Sequence, residues 1–147
     1  MKILVCMDGS KYSQKALEEA SVIVKGCNVN EVAIIHVYEK FDSFPISVEG
    51  NIEQTEINRL MLEEYRKKGE KILSEALKFI EGKNIKARTI LKKGHPADTI
   101  ISIAQEEGFD MIVIGSRGLG GLKKLFLGSV SNAIIQEVKN CSVLLVK

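Results

Sequence analysis

The chain has 147 residues, 45% of them hydrophobic and 27% charged, an ordinary balance for a soluble globular protein and enough length for one domain, 1–147, to bury a core. A formal net charge of +2 is too small to mark a nucleic-acid binder, and an aromatic share of 5% leaves little to stack against unpaired bases. No apolar run approaches the roughly 20 residues that a membrane span needs, and Met1-Lys2 leads straight into a strand rather than a signal peptide, so a cytoplasmic protein with no membrane or nucleic-acid partner is expected.

In chain order, Ile3 to Met7 is a short continuous apolar run, expected to form a buried strand. Asp8-Gly9-Ser10 breaks it, and Ala16, Leu17, Ala20, Ile23 and Val24 then recur at helical spacing, with Ser10 or Ser13 as the cap. Val32 to Tyr38 gives a second strand and completes a βαβ unit. The segment from Glu39 to Asn51 carries Pro45 and Gly50 with little periodicity, and its length makes it a candidate lid or interaction loop. A long helix is expected from Ile52 to Glu81, with Gly82 placed to stop it and Gly69 marking a bend.

Ile85 to Leu91 alternates in a way that suits a partly exposed strand near a sheet edge. Gly94-His95-Pro96 starts a helix with proline at its first position and Asp98 in its first turn; Ala97, Ile100, Ile101 and Ala104 are expected to form its buried stripe, and Gly108 ends it. Met111 to Ile114, a helix from Ser129, and Ser142 to Val146 complete the series. Five strands alternating with four helices give an α/β fold: an open, mainly parallel five-stranded sheet in a Rossmann-like three-layer α/β/α arrangement. Such sheets hold ligands outside the carboxyl ends of the strands, where strand order reverses.

The most informative stretch is MIVIGSRGLGGLKKLFLGSVSN, from Met111 to Asn132, where a buried strand empties into a glycine-rich loop and then a helix. Glycine lets a ligand approach backbone N–H groups closely. Ser129 is placed to cap the helix, whose unpaired N–H donors and positive dipole end favour an anion. No carboxylate stands between Asp110 and Glu137, while Arg117, Lys123 and Lys124 supply positive charge, so the segment suits a polyphosphate. The spacing fits neither a Walker A loop, since Gly120 is followed by Gly121 and Leu122, nor the dinucleotide Gly-x-Gly-x-x-Gly pattern, whose third glycine is missing.

Catalytic signatures are not legible. Cys6, Cys27 and Cys141 are odd in number with no Cys-x-x-Cys pair, which gives no zinc pattern, and their expected role is packing. His36 lies within a strand and His95 precedes a proline, so each is read as a satisfied structural histidine, and no triad-like arrangement can be found.

The spacing Gly115-x2-Gly118-x9-Gly128-Ser129 resembles the nucleotide-binding signature of the universal stress protein family. The likeness extends through ILVCMDGS, IIHVYE, GHPADTIISIAQEEGFDMIVIGSRG and LGSVSNAIIQEVKNCSVLLVK, nearly the whole chain. It implies the strand order 3-2-1-4-5, with the first and fourth strands flanking the switch point. It also implies ATP as ligand, with Mg or Mn bound through the phosphates and no protein metal site. Carried over, Gly115, Arg117, Gly118, Gly128, Ser129, Val130 and Ser131 would surround the phosphates and ribose. Asp8 would face the ribose or a phosphate-bound metal, although its residue type equally suits a helix-start cap; Val37, the Met7 backbone and Ile114 would line the adenine slot.

The resulting expectation is an ATP-binding regulatory or stress-response protein that acts as a nucleotide-dependent switch or sensor on a protein partner the sequence does not identify. A slow Mg-dependent ATPase and a nucleotide-free dimeric interaction module remain as alternatives, and at most weak hydrolysis is expected. The apolar final strand is an edge that invites pairing, and a homodimer through it is expected, as the resemblance also implies.

Overall fold

The computed structural model describes residues 1–39, 52–119 and 127–147, with side chains of the long helix described from residue 56. The candidate lid or interaction loop from Glu39 to Asn51, beyond its first residue, and the glycines and lysines of 120–126 lie outside the described residues. Among those described, the strands are β1 (Lys2–Cys6), β2 (Glu31–Tyr38), β3 (Arg88–Lys93), β4 (Met111–Gly115) and β5 (Ser142–Val146). The helices between them are α1 (Lys11–Gly26), α2 (Ile52–Glu81), α3 (Pro96–Glu106) and α4 (Ser129–Glu137). Every strand pair is parallel and the order is β3-β2-β1-β4-β5, as the resemblance implied.

Successive strand side chains point to opposite faces, so one apolar run feeds two layers. Ile3, Val5 and Met7 of the first strand region pack with Ala16, Leu17 and Ala20 of α1 and with Leu73, Ala76 and Ile80 of α2. Leu4 and Cys6 turn the other way, to Ala97, Ile100, Ile103 and Ala104 of α3 and Ile134 of α4. Each fully buried Ile or Leu in these layers contributes about 1.5–3 kcal/mol of transfer free energy. Charge gathers at the amino ends of the strands, where Glu31 pairs with Lys2 at 3.2 Å and with Arg88 at 2.8 Å. The opposite, carboxyl end is left for the site.

Two local expectations, the start of β3 and the buried stripe of α3, need correction. β3 begins at Arg88, because Ile85 is buried and its N–H closes back onto Ile80 C=O at 3.2 Å as a cap on α2. α2 ends at Glu81, just before Gly82 as expected; Gly82 donates to Lys78 C=O at 3.0 Å, and the left-handed residue of the turn that follows is Asn84, at φ 61°. α2 runs on through Gly69, where a Cβ would lie 2.6 Å from His36 Cδ2 and 2.8 Å from Leu91 Cδ1, so the bare Cα serves close packing on β2 and β3. In α3 the buried stripe takes Ile103, and Ile101 only half-buries at its margin.

Candidate functional site

A cleft of about 270 Å³ opens at the carboxyl ends of β1 and β4, the point where strand order reverses. In a parallel α/β fold the helices that follow strands also begin at this edge, so α1, α3 and α4 all present their first turns to it. All eleven residues expected at the site line this one cleft: Met7, Asp8, Val37, Ile114, Gly115, Arg117, Gly118, Gly128, Ser129, Val130 and Ser131.

The two roles open for Asp8 coincide. Its Oδ1 accepts the Ser10 N–H at 2.8 Å, and Ser10 Oγ in turn accepts the Ser13 N–H at 3.1 Å, so Asp8 shapes the turn into α1 while lining the cleft. Its other oxygen reaches over the loop, since a Cβ on Gly118 would lie 2.7 Å from Asp8 Oδ2. Gly115 serves a different approach: a Cβ there would lie 2.7 Å from the Tyr12 carbonyl carbon, so its bare Cα lets α1 sit against the end of β4.

The glycine loop is drawn together at its base. Gly128 N–H donates to Ser116 C=O at 2.9 Å, Ser116 N–H donates to Val146 C=O at 2.6 Å, and the buried Ser131 hydroxyl donates to Gly128 C=O at 2.9 Å. One expectation fails here. Ser129 does not cap α4; Gly128 is the N-cap with no side-chain bond, and Ser129 is already the first helical residue. The amides of Ser129, Val130 and Ser131 are the first-turn donors of α4, which have no partner within the helix and stand at the positive end of its dipole. Arg117 Nη1 donates to the Tyr12 phenol oxygen at 3.1 Å, and its guanidinium carbon lies 5.6 Å from that ring's centre. That hydrogen bond holds the Tyr12 phenol pKa below its usual range.

The apolar part of the lining is built by Ile35, Val37 and Ile114 from the sheet and by Pro96 and Ile100 from α3. Cys6 closes the floor, 5% exposed, and burial pushes its thiol pKa well up, so it is a neutral packing group. His36 is satisfied as expected, with Nδ1 2.7 Å from Met7 C=O, and His95 stands beside Asp98 at 3.4 Å. Pro96, Ile100, Ser13, Ile35 and Leu119 were not anticipated. For Pro96 and Ser13 a signal existed, because each lies in the first turn of a helix that follows a strand, and such turns meet at the carboxyl edge.

The family model described as the universal stress protein family matches residues 1–147. The chain belongs to the universal stress protein family. Universal stress protein YxiE of Bacillus subtilis is 38% identical over 148 residues, covering 99% of this chain and 98% of that protein. The solved structure of protein MJ0577 of Methanocaldococcus jannaschii superimposes with a TM-score of 0.82 at 28% identity, covering 99% of this chain and 94% of that one. A universal stress protein from Archaeoglobus fulgidus, solved in complex with dAMP, shares the fold at a TM-score of 0.65 and 23% identity, covering 100% of this chain and 98% of that one. Among the described residues no group of three or more His, Cys, Asp or Glu could hold a metal ion, and no helix is long and apolar enough to cross a membrane.

Proposed function

We propose that this universal stress protein binds ATP and acts as a nucleotide-dependent regulatory protein in the cytoplasm. The observation that carries the reading is one cleft with two kinds of lining. Its lining combines bare glycines, Arg117 and the first-turn amides of α4, suited to phosphates, with apolar side chains from the sheet and α3, suited to a heterocycle. The fold is shared with a protein solved with dAMP, so an adenine nucleotide is within what this architecture accommodates.

Asp8 is the one carboxylate among the described residues lining the cleft, and it lies against Gly118. A carboxylate beside an anion site repels polyphosphate unless it accepts from a ribose hydroxyl or meets a hard cation, so the residues fit ATP carrying Mg or Mn on its phosphates. The regulatory step follows from the loop base: ligand contacts at Gly118 and α4 connect through Ser116 to the Val146 carbonyl at the end of β5. Nucleotide occupancy would bias a surface that a protein partner reads.

Mass spectrometry of small molecules released from the purified protein, followed by ATP titration with and without Mg²⁺, tests the reading. Recovered nucleotide or saturable ATP binding is expected; neither in the wild type would overturn it.

β5 is an edge strand whose Val143, Leu144, Leu145 and Val146 are only half-buried, which fits a homodimer formed along it. Light scattering at micromolar concentration should give a dimer, and Val143→Lys should convert it to monomer. A monomeric wild type would reject the assembly.

A further inference from the structure

His36 and Gly69, which the cleft itself does not use, together explain how the sheet ends beside it. In a parallel pair, alternate residues turn both N–H and C=O to the same neighbour. Met7 N–H donates to Ile35 C=O at 2.8 Å, so Ile35 faces β1, and two residues on Val37 must turn its N–H and C=O the same way. Gly94 N–H donates to Tyr38 C=O at 3.0 Å, which sets Tyr38 toward β3 and confirms the alternation. The next rung on the β1 side would be Val37 N–H to Met7 C=O. It is not made among the described residues: pairing of β1 with β2 stops at Cys6 and Ile35. The Met7 carbonyl instead lies 2.7 Å from His36 Nδ1. A carbonyl only accepts, so Nδ1 carries the hydrogen.

The imidazole can be there because of Gly69. His36 turns to the face that packs on α2, and any side chain at 69 would place Cβ 2.6 Å from His36 Cδ2 and 3.1 Å from Nε2. Val37, on the opposite face, lines the cleft. We propose that His36, seated by Gly69, is a positioning residue that takes the Met7 carbonyl out of the sheet and so leaves the Val37 N–H and C=O open as the edge that reads the base.

This rests on the nucleotide reading above, in which main-chain groups of the Val37 slot meet the base, and adds to it the residues that hold that edge open. A main-chain donor beside an acceptor matches a heterocycle edge that presents an acceptor beside an amino donor, as adenine does. A site built on such bonds discriminates through the polar groups left unpaired when the wrong edge enters.

The test separates base from phosphate. His36→Leu keeps an apolar side chain but removes the donor, so Met7 C=O returns to Val37 N–H. ATP affinity should fall by about tenfold, the cost of roughly one hydrogen bond, while affinity for inorganic triphosphate is unchanged. His36→Asn, whose amide can donate from nearly the same position, should restore much of the ATP affinity. Gly69→Ala displaces the ring without removing it and should reproduce the His36→Leu pattern. Amide exchange measured without nucleotide gives an independent readout: Val37 N–H should exchange freely in the wild type and become protected in His36→Leu. A Val37 amide already protected in the nucleotide-free wild type overturns the inference even where ATP binds. So does equal loss of ATP and triphosphate binding in His36→Leu and His36→Asn. Failure of the wild type to bind ATP, with Val37 exchanging as expected, counts against the nucleotide reading and leaves the sheet-end geometry standing.

Discussion

Gly118→Val is expected to weaken ATP binding by at least about a hundredfold, roughly 2.7 kcal/mol, with little change in the thermal midpoint of the nucleotide-free protein. The reason is where the added atoms go. A Cβ at 118 points at Asp8 Oδ2, 2.7 Å away, and its next neighbour within reach is Asp8 Cγ at 3.9 Å. Among the described residues only the Asp8 carboxylate lies close enough to have to yield, and no core side chain is met. The branched side chain then fills the space between Asp8 and the base of the loop, where a phosphate would have to approach the backbone. Isothermal titration with ATP and a thermal melt of the same sample check both halves. Wild-type affinity in Gly118→Val would show that phosphate does not approach this glycine.

Gly115→Ala should do the reverse, striking stability first. Its Cβ would lie 2.7 Å from the Tyr12 carbonyl carbon, 2.8 Å from Tyr12 Cβ and 2.9 Å from Tyr12 O. These are parts of the α1 main chain and its root, which no rotamer change can move, so the first turn of α1 must shift away from the end of β4. Overpacking of that kind costs about 3 kcal/mol, which for a chain of this size corresponds to about 10 °C in midpoint. Circular dichroism melts of the nucleotide-free protein measure it. A shift under about 2 °C would mean that α1 and β4 accommodate the methyl, and that Gly115 matters for ligand approach alone. The pair of variants separates two uses of glycine in one signature, one for a ligand and one for a helix.

Much of the architecture was legible because its signals are local and repetitive. Continuous apolar runs at Ile3 and Met111 identified strands buried on both faces, and Pro96 with Asp98 marked a helix start that the structure keeps. The errors fall where a tertiary contact overrides a local preference. Ile85 has a strand-like pattern yet folds back onto Ile80 as the end of α2, because burying its side chain there outweighs one more rung on an edge strand. Ser129 has the residue type of a cap, but the bond from Gly128 N–H to Ser116 C=O moves the helix start one residue earlier. The packing role of Gly69 was not legible, since sequence shows the missing side chain and not the imidazole that occupies its place.

The sequence by itself determined the strand and helix succession, the glycine spacing with its surrounding positive charge, and hence a phosphate-suited loop between a buried strand and a helix. Those are properties of neighbouring residues, set by backbone sterics, side-chain period and local charge. Only the tertiary structure decided that Asp8, Val37 and Arg117, from three separate stretches of chain, line one cleft together with Pro96 and Ile100. It alone decided that His36 takes the carbonyl that Val37 would otherwise hold. Contacts of that kind depend on the relative placement of whole elements, fixed by the summed burial of two core layers, and no single stretch of sequence encodes that sum.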